Sequence, residues 1–360
     1  VCSPTRMAFL TGRYQQRAGV VDVIVGRRDK DGLEPHEVTI SGLMKSAGYK
    51  TAIFGKWHCG AYPQHNPTKH GFDEFIGFLH GGCDYLNHKN WLDGTEAKDQ
   101  QGYSTHVITD KSIDFIRRNK DKPFFLYLPY QAPHFQYEVP AEDLKPYADR
   151  KWDKKQKAFA SLVTMMDRNV GRILDTLKEL KLDENTVVMF TSDNGPSFTT
   201  SYKFWGSCGG LSGIKRSLNE GGIRVPMIVR WPGKTKPDST CELPFTGYDF
   251  LATAADLAGA KPPEKTDGVS FLPSILGREQ TGHEYLYWES HERNKLQAVR
   301  MGKWKFIRDA KRAQWGPYLY DLEADPGERK NLAKANPDMV QKLVTIMRKE
   351  HTPSAVKGWQ

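Results

Sequence analysis

The sequence predicts an α/β fold, a mainly parallel sheet flanked by helices with a smaller C-terminal antiparallel α+β subdomain. Two observations carry this. Through the first 260 residues, amphipathic helical stretches alternate with short apolar runs. Strands apolar on both faces belong to largely parallel sheets covered by helices on each side. Beyond about Gly268 the pattern changes to short strand-like pieces separated by turns, the signature of a small antiparallel sheet. A length of 360 residues fits about two domains. The expected boundary falls between Ala260 and Gly268, where Lys261-Pro262-Pro263 marks a linker, giving units 1–262 and 268–360.

The elements follow in order. Glu37 to Ala47 places Val38, Ile40, Leu43, Met44 and Ala47 at near-helical spacing, and Gly48 stops it. Thr51 to Phe54 then reads as a short buried strand. The unit repeats, with a helix over Thr105–Asn119 and the apolar run Phe124 to Tyr130 after Pro123. Lys157 to Leu180 carries Leu162, Val163, Met166, Val170, Ile173, Leu174 and Leu177 on one stripe, before a strand at Thr186–Phe190. Val225 to Trp231, closed by Pro232-Gly233, is a fourth strand. The C-terminal pieces are Tyr285–Trp288, Gln297–Met301, Trp304–Ile307 and Tyr318–Asp321, with a helix over Pro337–Lys349.

Composition excludes several classes of function. With 38% apolar residues the chain can build a core, so wholesale disorder is excluded. No apolar run approaches the roughly 18 residues of a membrane span. The 52 Lys and Arg exceed 43 Asp and Glu by nine, which favours anionic partners. No like-charge block, RNP, zinc-finger or helix-turn-helix signature accompanies that charge, so no nucleic-acid partner is expected. The five cysteines, Cys2, Cys59, Cys83, Cys208 and Cys241, are widely spaced and form no C-x-x-C pair. The chain opens on Val1-Cys2 without an initiator Met or a signal-type leader, and so reads as starting in mid-domain, a processed protein or a fragment.

In open α/β sheets, ligands bind beyond the carboxyl ends of the strands. Here those exits carry Gly55-Lys56-Trp57-His58, Gln131-Ala132-Pro133-His134 and Thr191-Ser192-Asp193-Asn194-Gly195. Each contains cationic, proton-transferring or metal-binding groups. Taken singly they have ordinary readings: Asp193-Asn194-Gly195 is also a turn sequence, and Lys215, beside Gly213 and Arg216, is also a solvated charge.

The opening Cys2-Ser3-Pro4-Thr5-Arg6, with Leu10-Thr11-Gly12-Arg13 downstream, resembles the C-x-P-x-R signature of the type I sulfatases, within the alkaline phosphatase superfamily. Gly55-Lys56-Trp57-His58, Pro133-His134, Ser192-Asp193-Asn194-Gly195, Lys215 and Glu220-Gly221-Gly222-Ile223-Arg224 follow in that family's order. So do Leu319-Tyr320-Asp321-Leu322, Asp325-Pro326 and Asn331-Leu332 near the end. The resemblance implies that a maturation enzyme oxidises Cys2 to formylglycine, whose hydrated aldehyde is the nucleophile. It implies that Arg6 holds that group, that Lys56 and Lys215 contact sulfate oxygens, and that His134 protonates the departing alcohol. His58 would then deprotonate the second hydroxyl and expel sulfate.

The resemblance also implies a calcium ion on Asp193, Asn194 and the matured Cys2, since hard oxygen donors suit such a cation. The family's remaining ligands are an Asp-Asp pair on the first strand, upstream of the cysteine, and no such pair occurs in this chain. The expectation is therefore a catalytic domain lacking its first strand and that metal motif, with weak calcium binding and little turnover by this polypeptide alone. A periplasmic, extracellular or lysosomal location is implied by the family. Substrate contacts are expected from loop groups, of which His291 and Asp84 stand out among Tyr85, His88, Trp205, Glu292 and Arg293. The expected substrate is a sulfated carbohydrate or aryl sulfate. The alternatives are a phosphonate monoester or phosphodiester hydrolase of the same fold, or a catalytically incomplete glycan-binding fragment.

Overall fold

The structure is a computed structural model and describes residues 1–20, 22–25, 31–86, 88–291, 295–309 and 316–353. The first element is a helix that the hydrophobic pattern does not announce, α1 (Cys2–Thr11). Pro4 is tolerated in its first turn because the amide it lacks has no intrahelical partner there. Gly12 ends it in the left-handed conformation, φ 66°, with its N–H on the Ala8 carbonyl. A β-carbon at Gly12 would lie 2.9 Å from Thr266 Oγ1 and 3.0 Å from Leu251. The Gly12 carbonyl accepts hydrogen bonds from Asp267 N, Gly268 N and Thr266 Oγ1, so the Leu-Thr-Gly stretch docks α1 on the segment near residue 267.

Helix α2 (Ile40–Ser46) is capped by Thr39, whose Oγ1 accepts from Gly42 N at 3.0 Å. It leads into β1 (Lys50–Lys56) and then β2 (Glu74–Phe78), followed by the small antiparallel pieces β3 (Leu92–Asp93) and β4 (Glu96–Ala97). Helix α3 (Ser104–Arg118) precedes β5 (Phe124–Tyr127). After the short α4 (Ala141–Leu144) comes the long α5 (Lys154–Glu179). There Asp153 and Gln156 form a reciprocal capping box, which starts the helix three residues before the apolar stripe predicts.

The main sheet has the order β4-β3-β2-β1-β5, with β1 parallel to both β2 and β5. β1 is buried along all but its first residue, as an apolar central strand requires. The antiparallel β3 and β4 at one edge make the sheet mixed.

One detail departs from the sequence reading. The third and fourth strands of the apolar series, β6 (Val188–Thr191) and β7 (Met227–Arg230), pair antiparallel with each other as a separate two-stranded ribbon. Their apolar side chains are consequently not all covered: Phe190 is 37% and Ile228 60% exposed. Apolar composition specified that both are strands but not which edges they meet, and the long excursion between them lets the chain return antiparallel.

The short α6 (Tyr202–Trp205) and α7 (Glu220–Ile223) lie within that excursion, and α8 (Asp249–Leu257) packs on α1 and α2. After α9 (Leu272–Ile275), strands β8 (Leu286–Ser290), β9 (Leu296–Met301), β10 (Trp304–Asp309) and β11 (Tyr318–Asp321) form an antiparallel sheet in the order β11-β10-β9-β8. Helix α10 (Pro337–Glu350) lays Leu343 and Met347 into a core with Tyr287, Val299, Phe306 and Leu319. No helix among the described residues is long and apolar enough to cross a membrane.

Candidate active site

Cys2 stands in the first turn of α1, 4% exposed, where the unpaired amides of a helix start lend partial positive charge. Its Sγ receives Lys215 Nζ at 3.5 Å and faces Asn194 Oδ1 at 3.9 Å. One turn along the helix, Arg6 is buried and divides its donors among three elements. Nη1 donates to the Lys56 carbonyl (2.9 Å) and to Tyr127 Oη (3.3 Å), and Nη2 to Asp193 Oδ2 (3.2 Å). This fork ties α1 to the ends of β1, β5 and β6 together, a geometry that a lysine could not supply. Thr5 Oγ1 adds a hydrogen bond to the Asp193 carbonyl at 2.9 Å.

The loop after β6 is held by close backbone contact. Gly195 N donates to the Gly222 carbonyl at 3.0 Å, and a β-carbon on Gly195 would fall 1.9 Å from the Gly221 carbonyl oxygen. Lys215 N donates to the Pro196 carbonyl. The Glu-Gly-Gly stretch is thus the seat on which Asp193, Asn194 and Lys215 rest. Glu220 anchors that seat through Lys305 Nζ of β10 at 2.7 Å, both side chains buried, while Glu328 accepts from Glu220 N at 2.8 Å.

The two histidines flank a diglycine loop. His58, two residues beyond β1, has φ 60° and lies against Gly81, where a β-carbon would come within 2.8 Å of its ring. Its Nε2–H donates to the Ile24 carbonyl at 3.0 Å, which leaves buried Nδ1 as a lone pair with no hydrogen-bond partner among the described residues. His134 has Gly82 as its neighbour, and its Nδ1–H donates to the Phe135 carbonyl at 2.6 Å. Tyr85 Oη donates to the His134 carbonyl, and Gln131 exchanges amide hydrogen bonds with Cys83, so the loop is pinned to the exit of β5.

The pocket is electropositive. Burial first, then Arg6, pushes the Lys56 ammonium below its usual range. Burial, with Lys56 and Arg6 adding, drives His58 well below the usual histidine value. Burial, Lys56 and Lys215 pull His134 down to about 4. For Asp193, burial opposes ionisation, but Arg6, Lys56 and Lys215 outweigh it and hold the carboxyl far below the carboxylate range. Such a surplus of fixed positive charge in a buried pocket stabilises an anion.

Asp193 and Asn194 are the hard oxygen donors here, and Asn194 Oδ1 points to Cys2. In kind they suit a calcium-type cation. In number they are two side chains, where such an ion takes six to eight oxygens. Among the described residues no group of three or more His, Cys, Asp or Glu side chains is placed to hold a metal ion.

Residues 1–260 match the sulfatase family, and residues 213–354 match the C-terminal region of N-sulphoglucosamine sulphohydrolase. The chain belongs to the sulfatase family. It is 30% identical to N-acetylgalactosamine-6-sulfatase of Canis lupus familiaris, across 99% of this chain and 78% of that protein. It is 30% identical to arylsulfatase A of Homo sapiens, across 95% of this chain and 77% of that one. The crystal structure of Ps i-CgsB in complex with k-i-k-neocarrahexaose superposes with a TM-score of 0.87 at 29% identity, covering 98% of this chain and 83% of that one. The protein is a sulfuric ester hydrolase with an alkaline-phosphatase-like fold.

The residues singled out from this sulfatase's sequence fall in two groups. Cys2, Arg6, Lys56, Asp193, Asn194 and Lys215 are joined by the contacts above, and His58 and His134 stand beside them. Asp84 is exposed in the loop that backs both histidines. His291 is elsewhere: it follows β8 and binds Glu289 Oε1 through Nε2 at 2.6 Å, with His351 Nδ1 on the same carboxylate at 3.0 Å. Glu292 and Arg293 lie outside the described residues. Tyr127 was not foreseen, and the loop after Gly81-Gly82, expected to supply substrate contacts, was not foreseen as the backing of both histidines. A tyrosine inside an apolar strand carries no local mark of contacting Arg6, whereas paired glycines ahead of a polar loop are a usable signal.

Proposed function

We propose that this sulfatase removes sulfate from a carbohydrate sulfate ester, with Cys2 matured to formylglycine as its nucleophile and residues 1–262 forming the catalytic domain. The observation that carries the reading is the Cys2 side chain at a helix start, touched by Lys215, facing Asn194 and one turn from Arg6, whose guanidinium reaches the Lys56 carbonyl. In the structure this residue is an unmodified thiol, and Sγ stands where the hydrate oxygen would be. The names of its relatives, one acting on a sulfated amino sugar and one holding an oligosaccharide, support a carbohydrate as the substrate.

A sulfate ester resists attack until its oxygens are neutralised and its leaving oxygen is protonated. Lys56 and Lys215 neutralise the sulfuryl oxygens, and Arg6 fixes the nucleophile through the helix it braces. The first hydrate hydroxyl releases its proton to solvent in the field of Lys56, Lys215 and Arg6. Its oxygen bonds to sulfur as the ester S–O bond breaks, and His134, in its imidazolium form, passes a proton from Nε2 to the departing alcohol. The Nδ1 lone pair of His58 then takes the proton of the second hydroxyl. The C–O bond to sulfate breaks and the aldehyde returns. A calcium ion on Asp193 and Asn194, when bound, would polarise the sulfuryl oxygens.

With these donors alone, the expected calcium affinity is weak, with a Kd around or above ~10⁻³ M, the limit of natural sites. Isothermal titration of the bare chain checks this, and a micromolar Kd would contradict it.

Co-expression with a formylglycine-generating enzyme tests the mechanism. Mass spectrometry of the peptide holding Cys2 should show the aldehyde, and an aryl sulfate should be turned over faster than an aryl phosphodiester. Preference for the phosphodiester would favour the phosphonate or phosphodiester hydrolase alternative. A plain thiol at Cys2 with undiminished desulfation would refute the formylglycine route. A plain thiol with glycan binding but no turnover would mark a binding fragment.

A further inference from the structure

Phe135, Phe198 and Phe204 are 51%, 71% and 50% exposed, and all three lie on the loops that carry His134 and lead from Asn194 to Lys215. The loops touch through Tyr137 Oη, which donates to Thr199 Oγ1 at 3.3 Å. From there a run of ring contacts leads away from the pocket. Tyr137 meets Phe159 at 6.2 Å, Phe159 meets Trp205 at 6.1 Å, and Trp205 meets Trp152 at 4.9 Å. Phe204 closes the group, 4.8 Å from Trp205. Trp152 borders a cavity of about 360 Å³ shared with Leu144, Lys145, Lys154 and Lys157. A second cavity of about 360 Å³ opens between Tyr202, Lys203 and Ile214, next to Lys215.

The charge on this path is one-sided. Residues 145–157 contain six Lys or Arg and two Asp. Asp153 is occupied as the cap of α5. Among the described residues no carboxylate pairs with Lys145, Lys151, Lys154, Lys155 or Lys203, whereas Arg117, Arg118, Arg168 and Arg172 nearby on α3 and α5 are all paired. Exposed rings beside unpaired ammonium groups suit one kind of ligand, a sugar ring that carries negative charge: the ring faces take the C–H side of the sugar and the lysines take its sulfate or carboxylate.

We propose that the surface from Phe204 and Lys203 to Trp152 and Lys154 is a distal subsite for the neighbouring anionic sugars of a polymeric sulfated glycan. The substrate is accordingly a chain of several charged sugars. This rests on the sulfatase reading and adds the length and charge of what enters the pocket. None of the four residues touches Cys2 or its partners, so their removal leaves the reacting centre as it is.

The test uses Phe204→Ala and Lys154→Ala, each with a melting curve matching the parent. Binding of sulfated galactan, chondroitin sulfate and fucan oligosaccharides of two and six sugars is measured by titration calorimetry, with turnover of p-nitrophenyl sulfate by the matured enzyme alongside. The parent should bind at least one six-sugar ligand at least tenfold more tightly than its two-sugar counterpart. Each variant should weaken the six-sugar ligand at least fivefold, with two-sugar binding and p-nitrophenyl sulfate kinetics within twofold of the parent. The proposal is overturned if the parent shows no length dependence on any of the three glycans, or if the variants weaken both lengths equally or neither. Absent turnover of p-nitrophenyl sulfate by the matured parent would instead count against the sulfatase reading, and the calorimetric arm reads the subsite without it.

Discussion

At the scale of single residues, Arg6 is the group on which the site turns. One guanidinium joins the Lys56 carbonyl, Tyr127 and Asp193, and it balances a carboxylate inside the pocket. In Arg6→Lys a single ammonium cannot span all three. Turnover should fall at least a hundredfold, and chemical denaturation should show a loss of about 3 kcal/mol, typical of a disrupted buried pair. A stability unchanged from the parent would show that Arg6 does not brace the strand exits. His134 gives a second test. Held down to about 4 by burial, Lys56 and Lys215, it is neutral at pH 7 in the free protein. An anionic ester beside those lysines cancels part of their field, so binding must raise its pKa. An NMR titration should show this imidazole protonating near pH 4 alone and at higher pH with an unreactive sulfate analogue. A downward shift would exclude it as the acid. The identity of these residues was legible in the sequence through the ordered motifs. Their partners Tyr127 and Ile24 were not, because a contact made by one hydroxyl or one carbonyl leaves no periodic trace.

Elements were legible where one face is wet. Helices α3, α5 and α10 bury a stripe and expose the rest, so their spacing announced them within a few residues. Helix α1 was invisible for the opposite reason. Cys2, Ser3, Pro4, Arg6, Met7, Ala8, Leu10 and Thr11 are all buried, and a helix covered all round by polar and apolar residues alike shows no period. The partnership of β6 and β7 was hidden too, since apolar composition names a strand without naming its neighbour. The link between β10 and α7 is the element-scale device with the clearest consequence. Lys305→Met leaves the buried Glu220 carboxylate beside Glu328 with the more distant Arg300 guanidinium, 3.8 Å away, as its ion-pair partner, which should destabilise by about 3 kcal/mol. Adding Glu220→Gln should recover much of that loss in a thermal or urea melt. A double variant no more stable than the single would mean that the pair is not the anchor.

For the whole molecule, buried neutral histidines set the response to acid. His58, His65, His70 and His88 are buried with lowered pKa values, His70 at about 4, in each case through burial first. The unfolded chain protonates near 6.5, above the folded values. Stability is therefore full above about pH 6.5 and is lost as pH falls toward 4. His70 alone accounts for up to about 3 kcal/mol across that window. Melting curves from pH 7.5 to 4.5 should show a steep fall that His70→Asn makes shallower, and an unchanged slope would remove His70 from the account.

The join between Glu220 and Lys305 bears on how inherited changes in such a chain are to be read. Lesions at Lys305 or Glu328 spare every group around sulfur, yet by loosening the perch of Lys215 they should register in an assay as failed chemistry. A screen sorting variants by proximity to Cys2 alone would file them as harmless.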